Sequence, residues 1–369
     1  MHPFALSLCT LLAVAPAAVA AASDTTILAS WNIRNLGWDN GKDYEALGVI
    51  GSHFDFISVQ EVMSETGILA FRDALELETG TSWEHLCSDH IGRGSYREMY
   101  CFVWRDQKIE WVDGAIVYLD DRDVFAREPF SARFQTRSGF AFVATSVHSI
   151  YGANVSAREE EASALRAYRD WLSDTFSPTP IFLMGDFNLA PTNPAWQPLG
   201  EVMLPLIRDG ATTISTIDGR FANLYDNIWI EADQDLPISR YGRLEFPHQV
   251  LNISHSQARE SVSDHIPVWV ELDPQVEARA FPSLFPASLP SSPVIPKQPA
   301  ALRQSLPAPG ENARGGSSSH SSSIIGNRNS QIYHLPECSS YGRVSPRNQV
   351  HFASENAARS QGYRRAKNC

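Results

Sequence analysis

Residues 263–272, SDHIPVWVEL, open on polar side chains and pass into an apolar alternation. Ile266, Val268 and Val270 recur every second residue, the pattern of a strand with one face in a core. Asp264 and His265 then stand at the strand's entry, and the strand is expected to aim them. Apolar runs with a polar residue at one end recur along the chain, in TTILASWNI, FDFISVQEV, MYCFVWR, GFAFVATSVHS, PIFLMGDF and NLYDNIWI. These are short and rich in Val, Ile, Phe and Trp, as strands are. Helix candidates lie between them. Residues 64–80 put Ile68, Phe71 and Leu75 on one face and stop at Gly80. SAREEEASALRAYRDWL opens on a capping box, Ser156 with Glu159, and repeats apolar residues at Leu165, Tyr168 and Leu172. Strands bounded by helices imply an α/β layered domain. Consecutive strands without helices imply a mixed sheet or two packed sheets.

The 369 residues are 43% hydrophobic, enough for a substantial core and more than one domain. The formal charge of −12 argues against gripping nucleic acid by bulk electrostatics, which needs clustered Lys and Arg. It leaves room for an enzyme that holds a cation with carboxylates and phosphate with a few arginines. Residues 1–22, from MHPFALSLCTLL to the A-x-A runs at Ala18 and Ala20, have the form of a secretory signal, although no Lys or Arg precedes the apolar core. No later stretch has the length and apolarity of a membrane span. The expectation is a secreted protein, extracellular or periplasmic, without a membrane anchor once the signal is removed. Four cysteines then remain, Cys87, Cys101, Cys338 and Cys369, with three ways to pair. Cys87 with Cys101 is favoured because each lies in a strand-like run, on either side of SDHIGRGSYREMY.

Residues 23–273 carry the strand and helix pattern. Residues 274–322 are Pro-rich and then Ser/Gly-rich, a linker with no core. Residues 323–369 regain Tyr, Phe and Val and read as a small second module. There Arg328, Arg343, Arg347, Arg359, Arg364, Arg365 and Lys367 stand against Glu337 and Glu355, a net +5 beside −17 on the rest of the chain.

Asn32, Glu61, Glu98, His148, Asp186, Asn188, Asp226, Asp264 and His265 all fall at or near strand ends. That is where an α/β sheet brings separated residues together. Carboxylates and amide oxygens without clustered Cys or His suit a hard cation, Mg²⁺ or Ca²⁺, rather than zinc. Two histidines with two spare carboxylates suit general acid–base work. Together these groups are what phosphodiester hydrolysis requires.

The ordered motifs WNIRNLG, VQEV, GRGSYREMY, SVHS, GDFN, YDNI and SDHIPV resemble the endonuclease/exonuclease/phosphatase superfamily across nearly all of residues 25–273. GRGSYRE and FAREPF resemble its deoxyribonuclease I branch. The resemblance implies an α/β fold of two packed mixed β-sheets flanked by helices, a four-layer sandwich, and a monomer acting on DNA. It implies Mg²⁺, or Ca²⁺ or Mn²⁺, held by Asn32 and Glu61, with Asp186, Asn188 and Asp264 completing the metal and phosphate pocket. It pairs His148 with Glu98 and His265 with Asp226 as the acid–base units, and gives DNA contacts to Arg34, Arg93, Tyr96 and Arg127. One departure is Met63, where the family tends to place an arginine after QEV, which puts one phosphate contact in question. Residues 323–369 resemble the metal-binding domain of the Ada DNA-repair protein, a small α+β module. Of that domain's four zinc cysteines only Cys338 and Cys369 remain, with His334 and Ala366 at the other positions. A zinc site using His334, Cys338 and Cys369 and a Cys338–Cys369 disulfide both stay open. Two other functions fit the same fold: a phosphodiesterase acting on sphingomyelin or another phospholipid, and a non-catalytic adhesin or toxin subunit.

Overall fold

The computed structural model describes residues 25–282, apart from 95, 153, 218 and 233, and in the C-terminal region residues 324–328, 332–336, 349–352, 354–361 and 363–366. The expected signal at 1–22, most of the linker, Cys338 and Cys369 lie outside the described residues. Six strands, Thr26–Leu36 (β1), Phe56–Val62 (β2), Trp83–Cys87 (β3), Met99–Arg105 (β4), Ile238–Arg243 (β12) and Val268–Leu272 (β13), form one sheet in the order β12-β13-β1-β2-β4-β3. Six more, Ile109–Val117 (β5), Phe130–Thr136 (β6), Ala141–His148 (β7), Ile181–Asp186 (β8), Met203–Pro205 (β9) and Asp226–Glu231 (β10), form a second in the order β5-β6-β7-β8-β10-β9. Both are mixed: β1 and β2 run parallel, as do β7 and β8, while the other pairs are antiparallel. Asp235–Leu236 (β11) pairs with Arg279–Ala280 (β14).

The period-two pattern decides how the sheets stack. Leu28, Phe56, Phe102, Phe134, Phe142, Phe182, Ile228 and Val270 point between the sheets and form one buried cluster. Phe56, Phe102, Phe134 and Phe142 meet there with ring centroids 4.9–5.8 Å apart. The alternate residues Ala29, Trp31, Ile57 and Val59 face outward. They pack against the helices Tyr44–Gly51 (α1) and Glu65–Thr79 (α2). Val143, Ile181, Leu183 and Trp229 do the same on the other side against Val155–Phe176 (α3). The layers are helix, sheet, sheet, helix. Among the described residues no helix is long and apolar enough to cross a membrane.

Helix α2 follows the sequence reading. Ser64 caps it by accepting from Gly67 N, Gly80 closes it at φ +62°, and Ile68, Phe71 and Leu75 are buried. Helix α3 differs from it. Asn154 is its cap and accepts from Ser156 N, so Ser156 lies inside the helix and the expected capping box does not form. Glu159 instead accepts from Asn193 Nδ2 at 3.0 Å. Strands β5 and β12 are edges with exposed charged residues, which hid their alternation in the sequence. Residues 263–272 also depart from the expected pattern. Strand β13 starts only at Val268, and Ile266 packs on the helix side rather than with Val268 and Val270.

Cys87 and Cys101 are disulfide-bonded across β3 and β4, where they are register partners. Gly185 faces Val147 across the parallel β7–β8 pair. A Cβ there would lie 2.0 Å from Val147 O, and the residue adopts φ +156°. Gly185→Ala therefore combines a backbone clash with a strained conformation. The expected loss is about 3 kcal/mol or more, read as a lower urea midpoint. An unchanged midpoint would refute this packing.

The C-terminal segment forms a four-stranded sheet, Ile324–Asn327 (β15), Ile332–His334 (β16), Gln349–Phe352 (β17) and Arg364–Arg365 (β18), in the order β17-β15-β16-β18, with a short helix Glu355–Ser360. Tyr333, Phe352, Ala358 and Tyr363 build its small core. Ala366 is buried and its N–H donates to Tyr333 O at 3.0 Å, so it offers no metal ligand.

Candidate active site

The side chains between the sheets change character along the strands. Reading from the core outward, β1 offers Leu28, Ser30 and Asn32, and β2 offers Phe56, Ser58 and Gln60. Likewise β7 gives Phe142, Ala144, Ser146 and His148, β8 gives Phe182, Met184 and Asp186, and β10 gives Ile230, Ile228 and Asp226. An intervening belt is satisfied internally: Gln60 Nε2 donates to Ser146 Oγ at 2.9 Å, and Ser58 Oγ to Thr145 O at 3.1 Å. Beyond it the ionisable groups collect at one edge of the sandwich. Glu98, two residues before the inward Tyr100, joins them and is fully buried.

Glu61 breaks the alternation. An odd-numbered residue of β2 should point to the helix side with Val59, but Glu61 has φ +58° and the strand slips register there. Its carboxylate turns inward, accepting from Asn32 Nδ2 and from Asn35 N, each at 3.0 Å.

Asp186 is the centre of the cluster. Its Oδ2 lies 3.6 Å from His148 Nε2 and 3.6 Å from His265 Nε2, and accepts from Asn32 Nδ2 at 3.1 Å. Each imidazole is backed by its own carboxylate. His148 Nδ1 is 2.8 Å from Glu98 Oε1, and His265 Nδ1 is 2.9 Å from Asp226 Oδ2. These bonds fix each ring so that its Nε2 faces Asp186. Burial disfavours a charged His148 and Arg127 repels it, yet Glu98 and Asp186 outweigh both and raise its pKa above the ordinary histidine value. Burial also opposes a charged His265, but Asp226 and Asp186 hold its pKa well above that value. For Asp186 burial would raise the pKa, and the two histidines reverse this and lower it. The 263–265 segment is held by Ser263 Oγ, which donates to Asn32 O at 2.7 Å and accepts from His265 N, and by Trp31 Nε1, which donates to His265 O at 3.0 Å.

The remaining expected residues divide. Asn188, at φ +50°, donates its N–H to Asp186 Oδ1 at 3.0 Å and its side-chain amide to Ser149 O at 2.8 Å. Asp264 lines the same cleft, but its carboxylate faces Arg259 at 3.3 Å and Arg34 at 3.9 Å. Arg34 and Tyr96 also line the cleft, which measures about 640 Å³. Burial and the Glu61 and Glu98 carboxylates push the Tyr96 hydroxyl above the usual phenol range, so it stays a proton donor. Arg127 reaches the cleft with a side chain only 11% exposed. It donates to His148 O at 3.0 Å and Ser149 O at 3.1 Å, so it braces the histidine strand end. Arg93 does not line the cleft; it pairs with Asp123 on the surface. Met63 is buried, its N–H bonded to Leu36 O. The sequence reading missed Arg259, Trp38 and Tyr151, all of which line the cleft. Arg259 lies six residues before His265, but nothing in its neighbours marks it.

The donor chemistry fits a hard cation. Glu61 and Asp186 present carboxylates on either side of one Asn32 amide, a concentration of buried negative charge that a divalent ion would offset. Among the described residues, Asp186, Asp226 and His265 also offer ligand atoms within 4.8 Å of one another. In that trio His265 and Asp226 are already bound to each other, so the Glu61 and Asp186 carboxylates suit the ion better. Asn32, expected as a ligand, instead turns its amide nitrogen to them, and its Oδ1 accepts from Arg34 N at 2.9 Å.

A family model described as Endonuclease/Exonuclease/phosphatase family matches residues 29–224. A protein named Deoxyribonuclease from Thioalkalivibrio sp. (strain K90mix) is 48% identical over 251 residues, covering 66% of this chain and 70% of that one. Deoxyribonuclease-1 from Canis lupus familiaris is 28% identical, covering 66% and 90%. Among solved structures, the endonuclease/exonuclease/phosphatase from Bacteroides vulgatus shares the fold, with a TM-score of 0.50 at 18% identity over 68% of this chain and 98% of that one.

Proposed function

Because the chain belongs to the endonuclease/exonuclease/phosphatase family, we propose that it is a divalent-cation-dependent endonuclease that hydrolyses DNA phosphodiester bonds with little sequence preference. One observation carries the chemistry: two imidazoles, each backed by its own carboxylate, converge on Asp186 with Nε2 at 3.6 Å. A phosphoryl group seated at that point lies between a group that takes a proton and a group that gives one. One histidine takes the proton of the attacking water and the other protonates the leaving oxygen, so each of the two proton transfers has its own imidazole. Glu98 and Asp226 stabilise the imidazolium form, which the base acquires and from which the acid starts. Glu61 and Asp186 would hold a divalent cation, which Asn32 would join by turning its amide oxygen inward, with Asn188 orienting Asp186; the ion would supply charge neutralisation at the phosphoryl oxygens. Arg34, Arg259 and Tyr96 supply donors for the strand's phosphates.

The 48% identity to a protein named Deoxyribonuclease favours DNA as the substrate. The signal at 1–22 and the Cys87–Cys101 disulfide favour an exported enzyme. In this reading 23–273 is catalytic, 274–322 a tether and 323–369 a basic module that raises the local DNA concentration. The direct test is nicking of supercoiled plasmid with Mg²⁺. The expected result is open-circular product that vanishes with excess chelator, and no release of phosphocholine from sphingomyelin. Nicking that persists in chelator, or sphingomyelin as the better substrate, refutes the reading.

A further inference from the structure

Five large aromatic residues among the described ones stand substantially exposed: Trp38, Tyr96, Trp111, Tyr151 and Tyr241. Three of them, Trp38 at 50%, Tyr96 at 38% and Tyr151 at 66%, line the cleft that holds His148, Asp186 and His265. Exposed aromatic surface gathered at a catalytic cleft calls for a function, since the rings gain nothing from the core.

Their supports hold them in place. Trp38 meets Tyr96 edge to face, with centroids 6.1 Å apart and planes at 84°. Tyr96 Oη lies 3.4 Å from Asn35 Oδ1, which ties that pair to the end of β1. Tyr151 carries the Arg158 guanidinium 5.6 Å from its ring centroid. Arg158 in turn donates to Asn188 O at 2.9 Å, two residues beyond Asp186. Each aromatic group is thus anchored to a segment that also positions the reacting centre. The same cleft is lined by Arg34, Glu61 and Arg127, so the rings share it with charged groups and suit flat ligands that also carry phosphate.

Resting on the nuclease reading above, we propose that Trp38 and Tyr151 are stacking platforms for unpaired bases next to the scissile phosphate. Single-stranded DNA and locally opened duplex are then substrates in their own right. In a duplex the base faces are covered by their neighbours, and such rings find only sugars and groove edges. An unstacked base presents a π face to a ring, and every base has one, so the contact adds affinity without sequence preference. Arg34 and Arg259 hold the phosphates of the same strand.

The test uses the full-length protein carrying His265→Ala, expected to cut far too slowly to deplete the strands during a titration, and two fluorescein-labelled single strands of about twelve nucleotides. One is oligo-dT and the other an abasic strand with the same phosphates. Anisotropy titrations are expected to give about tenfold tighter binding of oligo-dT. Trp38→Ala and Tyr151→Ala each reduce that ratio severalfold, and Trp38→Phe, which keeps an aromatic face, largely restores it. Equal affinity for the two strands overturns the proposal. So does a ratio that survives both alanine substitutions, or a Trp38→Phe protein that behaves like Trp38→Ala. Plasmid nicking by the unsubstituted protein reports separately on the nuclease reading. A nicking enzyme indifferent to bases therefore overturns only the stacking.

Discussion

Replacing either His148 or His265 by alanine is expected to slow plasmid nicking by about 10²- to 10⁴-fold, while far-UV circular dichroism stays unchanged. Both rings are nearly buried, yet their Nδ1 atoms are fixed by carboxylates and their Nε2 atoms both face Asp186. Each ring has carboxylates as its side-chain partners, so truncation is expected to remove a proton carrier. If the two histidines act on opposite faces of one reaction, the double variant should lose little more than the worse single variant, because either proton transfer limits the whole. Alanine proteins that retain full activity would rule out imidazole acid–base chemistry at this site.

Asp186→Asn is expected to be at least as damaging, by about 10³-fold or more. Asp186 is the shared anion between two imidazoles whose pKa values it helps to raise. Neutralising it withdraws that support from both rings at once and removes a proposed cation ligand. The amide keeps nearly the same shape, so the change tests charge more than packing. Thermal denaturation gives a readout independent of turnover. Ligand binding to the folded state stabilises it, by about 2.7 kcal/mol at a hundred times Kd. Mg²⁺ should therefore raise the Tm of the unsubstituted protein and raise it much less in Asp186→Asn or Glu61→Gln. An equal rise in all three proteins would place the ion elsewhere.

Much of this arrangement was legible in the sequence because strand ends and their residues are local features. The apolar runs located seven strands of the two sheets, and the ordered polar residues at their ends named most of the groups that meet at the cleft. Less was legible where backbone geometry departs from the period. Glu61 reaches the site only through a left-handed residue and a register slip, and the alternation alone would have turned it to the helices. For Arg93 and Arg127 the sequence showed charge but not direction: one is paired on the surface and the other bonded to two backbone carbonyls.

The residues by themselves determined that apolar side chains alternate with polar ones on strands ending in Asn, Asp and His. Burying that alternation forces a layered sandwich whose inner face turns polar at one edge, because a period-two pattern has one core face in any folded arrangement. Only the tertiary structure decided which groups meet. Asp264 and His265 were expected to be aimed by the strand that follows them. Instead β13 begins three residues after His265, and His265 is fixed by Ser263, Trp31 and Asp226, contacts spanning up to 234 positions along the chain. Asp264 is turned to Arg34 and Arg259. Side-chain hydrogen bonds of that span depend on how the sheets pack and not on local propensity. Pattern therefore identifies the members of the site, and packing sets the direction in which each one points.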